Sequence, residues 1–207
     1  MIHLLIGSNN THKAEEMRAI VEAQGLAYLL MPSDVQDFPT DIPETGATLE
    51  ENAYIKAVTI FQATGRICIA DDTGLEVDAL GGAPGVHTAR YAGEHASYAE
   101  NRTKMLAELR DVPPEQRTAR FRTVICYHDQ YRVCFAEGIC EGHIAAKERG
   151  EAGFGYDAIF IPQGFDRTFA EMNADEKHRV SHRGQALKRF AEILHSYHTD
   201  ELEKPLP

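Results

Sequence analysis

Short apolar runs alternate with helix-length segments through the first third of the chain, an order that few folds accommodate. Ile2–Ile6 is apolar and ends in the polar cluster GSNNTH, as a buried strand feeding a loop does. From Lys13 the pattern turns helical, with Met17, Ile20, Val21 and Gln24 recurring until Gly25 stops it. Leu26–Met31 reads as a second strand ended by Pro32, and the acidic, three-proline stretch 32–46 reads as an exposed loop. Thr48-x-x-Glu51 fits a capping box opening a second helix, with Gly65 as its stop. Ile67–Ala70 is a further strand running straight into two aspartates.

The remainder changes character. Residues 74–93 are rich in glycine and small side chains, as expected where backbone must approach a partner closely. Ser97-x-x-Glu100 opens a third helix ending near Arg110, before Pro113-Pro114. Arg120–Tyr127 and Arg132–Cys140 read as a hairpin turning at 128–131, and Ile159–Ile161 as a last strand. Ser181 caps a final helix reaching about Tyr197, and 199–207 reads as a loose tail. The expectation is an α/β fold with a mixed sheet, organised as one domain over 1–207.

Charge narrows the partners. Twenty-one basic and 32 acidic residues give −11, which disfavours coating a nucleic-acid backbone or an anionic membrane. A small anion still fits, given a few cations and a divalent metal gathered at one point. No stretch approaches the 18 or so apolar residues of a membrane span. The four cysteines lack CxxC spacing and suit a reducing compartment. MIHLLIGSNN has no basic n-region and reads as a strand rather than a leader, so the expected location is the cytoplasm.

Five clusters carry chemistry. In SNNTHK, between strand and helix, Ser8, Asn9, Asn10 and Thr11 can donate to an anion and Lys13 adds charge, although the same residues also make a helix cap. It lacks the glycines of a Walker loop. In ETGATLEENAYIKA, Asn52 and Lys56 share a helical face, and Glu44 offers a hard oxygen to a metal; a capped surface helix is the plainer reading. ADDTGLEVDALGGAPG puts adjacent carboxylates after a strand, where open α/β sheets bind ligands and where Mg2+ would relieve their repulsion; Asp-Thr-Gly is also good turn chemistry. GFGYDAIF sets Phe154 between glycines, either a stacking face for a base or a turn feeding a core strand. EMNADEKHRVSHRG gathers Lys177, His182 and Arg183 near a helix start, though His182 alone would also suit capping or packing.

Taken in order, SNNTHK (8–13), ETGATLEENAYIKA (44–57), ADDTGLEVDALGGAPGVHTARYAG (70–93), GFGYDAIF (153–160) and EKHRVSHRGQAL (176–187) resemble the inosine triphosphate pyrophosphatase family. The resemblance spans almost the whole chain. It implies a long central mixed sheet flanked by helices, two lobes around a cleft, and a homodimer. It also implies Mg2+-dependent cleavage of ITP, dITP or XTP to the monophosphate and pyrophosphate, with one ion per subunit. Carried over by position, Ser8, Asn9, Asn10, Thr11, His12 and Lys13 would cradle the triphosphate beside Lys56. Glu44 and Asp72 would hold the metal, and Asp72 would activate water. Thr73, Phe154, Gly155, Tyr156, Asp157, Lys177, His182 and Arg183 would contact the substrate. The chain departs from the family pattern at Ala158, usually proline, and at Leu49, usually phenylalanine. A Maf-type dTTP/UTP pyrophosphatase and a nucleotide-binding regulator without turnover are the alternatives.

Overall fold

The computed structural model describes residues 2–23, 25 and 27–202. Its elements are β1 (Ile2–Ile6), α1 (Thr11–Ala23), β2 (Ala27–Leu30), α2 (Leu49–Thr64), β3 (Cys68–Val77) and β4 (Pro84–Gly85). They continue with α3 (Tyr98–Glu108), β5 (Thr118–His128), β6 (Val133–Ile144), β7 (Phe160–Pro162), α4 (Ala174–Val180) and α5 (His182–Leu202). Seven strands form one mixed sheet in the order β2-β1-β3-β5-β6-β7, with β4 added beside β3. β1 runs parallel to β2 and β3, and every other pairing is antiparallel.

Local signals account for most boundaries. Thr48 Oγ1 accepts from the Glu51 amide at 3.1 Å, and Gly65 closes α2 at φ 64°. The reciprocal half of that box is displaced by one residue, because Glu51 accepts from the Ala47 amide instead. Ser97 and Glu100 cap α3 in both directions. Asp129 Oδ1 takes the Tyr131 and Arg132 amides and tightens the β5–β6 turn. α5 continues to Leu202, beyond the expected end at Tyr197. Gln24, Leu26 and 203–207, the rest of the expected tail, lie outside the described residues.

One strand is far longer than its apolar signal. Ile67–Ala70 is expected to stop before the aspartates, yet β3 runs ten residues and contains both of them. β5 pairs with β3 from Cys68↔His128 to Val77↔Ala119, so ladder hydrogen bonds hold the polar stretch extended. Side-chain alternation then sends neighbours to different cores. Ile69 joins the cluster under α1 and α5, Cys68 and Ala70 join that under α2, and Leu75 and Val77 join a third that includes Met105, Phe121 and Phe160. Residues 71–74 lie at the seam between these three cores.

The seam has an open edge. On that side of β3, β1 pairs only with Cys68 and Ile69, and β4 only with Leu75 and Glu76. β1 leaves at Gly7, where an added Cβ would lie 2.7 Å from the Ile60 side chain and 2.9 Å from that of Ala70. On the far side, α5 lies directly on β6: a Cβ at Gly138 would sit 2.0 Å from the His182 carbonyl oxygen. Gly138→Ala should therefore cost about 3 kcal/mol by overpacking, read as a lowered midpoint in denaturant unfolding.

Candidate active site

The two aspartates at the seam face opposite ways, as strand alternation requires. The sequence reading expects them just past the end of the strand; β3 instead continues through both to Val77. Asp71 lies 3.3 Å from the Lys13 ammonium and 3.4 Å from Arg183 Nη2, and accepts from Thr73 Oγ1 at 3.1 Å. Asp72, on the other face, accepts from Lys56 Nζ at 2.8 Å and Asn52 Nδ2 at 3.3 Å. Burial raises the Asp71 pKa, but Lys13 and Arg183 outweigh it and hold the carboxyl far below its usual range. For Asp72 burial prevails over Lys56 and Lys13, with Glu44 adding to it, so this carboxyl titrates above its usual value.

The first loop is a helix cap and an anion-facing turn together. Asn10 Oδ1 accepts from the Lys13 amide at 3.2 Å, and Ser8 Oγ accepts from the Asn10 amide at 3.3 Å. Asn9 donates to the Thr40 carbonyl at 2.9 Å, so its side chain pins the 32–46 loop. Thr11 and His12 begin α1, whose N-terminal end attracts negative charge, and Lys13 adds its own. Ser8, Asn9, Asn10 and Lys13 wall one side of a cavity that also contains Lys56 and Glu44.

Lys56 is the centre of the second cluster. Its ammonium donates to Glu44 Oε1 at 2.9 Å as well as to Asp72, and Arg90 stands 3.7 Å from the other Glu44 oxygen. Burial alone would lower the Lys56 pKa, but Asp72, Asp71 and Glu44 raise it, so the side chain stays charged. Glu44, from the loop before α2, and Asp72, from β3, thus converge on one cationic point, an oxygen donor set of the kind hard divalent cations take. No cluster of three or more His, Cys, Asp or Glu side chains that could hold a metal occurs among the described residues. A cation here would complete its shell with water or ligand oxygens.

The third wall is aromatic. Gly153 and Gly155 both take positive φ, and between them Phe154 stacks on His12 at 5.3 Å and 17°. Asp157 shapes this loop by accepting from the Phe154 amide at 2.9 Å and from Lys177 Nζ at 2.7 Å. Lys177 lies 5.0 Å from the centre of the Phe154 ring. The Tyr156 hydroxyl is spent on the Thr88 carbonyl at 2.9 Å. His182 stacks on Phe121 at 4.5 Å; burial first, then Arg183 and Lys177, pushes its pKa well below the ordinary value, so it is neutral. Among the described residues, buried atoms His182 Nδ1, Arg183 Nε and Asp71 Oδ1 have no hydrogen-bond partner, a density of unpaired polar atoms expected of a ligand site.

These walls line a cavity beside the Lys56 cavity, and the two spaces share Asn10, Lys13, Glu44 and Ala89. The structure thus brings together at least one residue of every segment singled out in the sequence. Sequence reasoning missed Glu16, which accepts from Lys177 at 2.6 Å and from Arg183 Nη1. Its signal was its place one helical turn after Lys13 on the buried side of α1. It also missed Tyr98, whose hydroxyl accepts from Asn10 Nδ2 at 3.0 Å. Asp71 was singled out only as the neighbour of Asp72.

Residues 4–193 match the model of the Ham1 family. This chain belongs to the Ham1 family. A curated member in Bacillus subtilis (strain 168), a dITP/XTP pyrophosphatase, is 44% identical over 195 residues, covering 94% of this chain and 98% of the relative. One from Porphyromonas gingivalis, also a dITP/XTP pyrophosphatase, is 45% identical over 194 residues with the same coverages. A solved HAM1 protein from Coxiella burnetii superposes with a TM-score of 0.83 at 38% identity, covering 95% of this chain and 100% of that one. The Staphylococcus aureus Ham1 protein gives 0.81 at 36%, covering 94% and 99%.

In this Ham1-family chain, Glu16 holds two nearly buried cations. Burial raises its pKa, but Arg183 and Lys177 prevail and lower it, so its stabilisation is present above the usual carboxylate range and is lost as pH falls through and below it. Glu16→Gln should cost about 2 kcal/mol at neutral pH. The gap to the parent protein should narrow on acidification, measured as unfolding midpoints across a pH series.

Proposed function

We propose that the chain hydrolyses non-standard purine nucleoside triphosphates (ITP, dITP and XTP) to the monophosphate and pyrophosphate, clearing them from the nucleotide pool. The observation that carries the reading is the junction of two cavities at Lys13 and Glu44. A cationic helix start and a carboxylate pair meet there with an aromatic slot, the arrangement a nucleotide with a phosphate tail needs. The dITP/XTP pyrophosphatases aligned over nearly their full length support the same chemistry.

Phosphoanhydride hydrolysis depends on positioning and charge. The Thr11 and His12 amides at the start of α1 and the Lys13 ammonium hold phosphate oxygens, and Lys13 stabilises the departing pyrophosphate. Asp72, held by Lys56 and Asn52, takes the proton of the attacking water. Lys56 keeps Asp72 and Glu44 oriented toward one point.

The built charges already balance: Lys13, Arg183 and Lys177 against Asp71, Glu16 and Asp157 on one side, Lys56 and Arg90 against Glu44 and Asp72 on the other. A triphosphate adds negative charge that the protein does not offset. That imbalance supports Mg2+ on Glu44 and Asp72, where it would neutralise phosphate oxygens and acidify a bound water.

Base choice follows from donor polarity. Lys177 presents only donors, which suit the 6-keto oxygen of hypoxanthine or xanthine and leave a mismatch against the amino group of adenine. The free thiols of the four cysteines suit the reducing cytoplasm, and burial pushes those of Cys68, Cys126 and Cys140 up to about 12. A homodimer, which the resemblance implies, belongs to the same reading.

Pyrophosphate release from ITP and XTP should exceed that from ATP, GTP and dTTP, and EDTA should abolish it. Asp72→Asn should lower kcat about 100-fold or more while nucleotide binding persists. A preference for dTTP would instead favour a Maf-type enzyme, and tight binding without release a regulator.

A further inference from the structure

The proposed function leaves α3 without a part, yet this helix touches both walls of the cleft. It is firmly seated: Met105 and Leu109, the residue that caps its C-terminal end, are fully buried in the third core. Asn101, also buried, accepts from the Ala92 amide at 2.7 Å and donates to the Ala89 carbonyl at 2.9 Å. From this base two side chains, one helical turn apart, reach in different directions. The Tyr98 hydroxyl takes Asn10 Nδ2 at 3.0 Å, and its ring lies 6.0 Å from Phe154 at 43°. Arg102 Nη1 donates to the Gly155 carbonyl at 2.8 Å, while its Nε lies 3.0 Å from Glu148.

Asn10 belongs to the loop that faces phosphate, and Gly155 to the glycine loop that carries the aromatic slot. Asn10 uses its other amide atom to cap α1, so the Tyr98 contact fixes both ends of that amide. Besides it, the His12 stack on Phe154 joins the two loops directly across the mouth.

Resting on the functional reading above, we propose that Tyr98 and Arg102 are positioning residues that clamp the phosphate-side and nucleoside-side loops at the separation a purine nucleotide requires. Tyr98 is also the outer wall of the aromatic slot. The clamp acts on substrate affinity rather than on the chemical step.

Kinetics with ITP and amide hydrogen exchange without nucleotide test this together. Tyr98→Phe should raise KM about three- to tenfold, the size of one lost neutral hydrogen bond, with kcat within roughly twofold. Tyr98→Ala should raise KM further, and Arg102→Lys should restore part of what Arg102→Met loses. Tyr98→Phe should also speed exchange at residues 8–13, and Arg102→Met at 154–156. Unchanged KM in both Tyr98 variants, or a fall confined to kcat, would overturn the clamp. If the parent protein cleaves no purine triphosphate, the functional reading fails instead. The exchange data then decide the clamp alone, and unchanged protection in both loops would sink it.

Discussion

Asp71 is 1% exposed in the middle of a central strand, and a carboxylate there is tolerable only if cations reach it. Lys13 comes from the start of α1 and Arg183 from the start of α5, elements far apart in sequence. Arg183 in turn needs Glu16, Glu16 also holds Lys177, and Lys177 reaches Asp157, which fixes the Phe154 amide. One buried charge therefore sets the positions of α1, α4, α5 and the glycine loop relative to β3. Removing one member strips its buried neighbour of part of its charge pairing, which couples the elements to one another.

The same strand separates two chemistries by its alternation. Asp71, between two cations, is locked in the ionised form and serves structure. Asp72, with its pKa raised, faces the Lys56 and Glu44 side where a proton acceptor is useful. Environments that push two carboxyls apart in pKa are a general sign of divided roles. Here the division costs no extra element, because adjacent strand residues necessarily face opposite layers.

Much of this was legible in the chain. The strand–helix start, the caps at Thr48, Ser97 and Ser181, and the β5–β6 hairpin follow from local rules that act within a few residues. The segments bearing Lys13, Asp72, Phe154 and Arg183 could be named because their residue types and order resemble one family. The reach of β3 was not legible: Asp-Asp-Thr-Gly has poor strand propensity, and only pairing with β5 and buried cations from α1, α2 and α5 overrides it. Glu16 looked like an ordinary helix-surface acid for the same reason, since its partners lie more than 160 residues away.

By itself, then, the sequence determined most of the element types and the acidic net charge. Those are properties of periodicity and side-chain chemistry, which need no knowledge of neighbours. Tertiary structure alone decided that Asp71 lies between Lys13 and Arg183 while Asp72 faces Lys56. It also decided that Lys56 bridges two carboxylates and that α3 spans the cleft mouth. Each depends on distances between segments far apart in the chain, which are set only when the three cores close around residues 71–74.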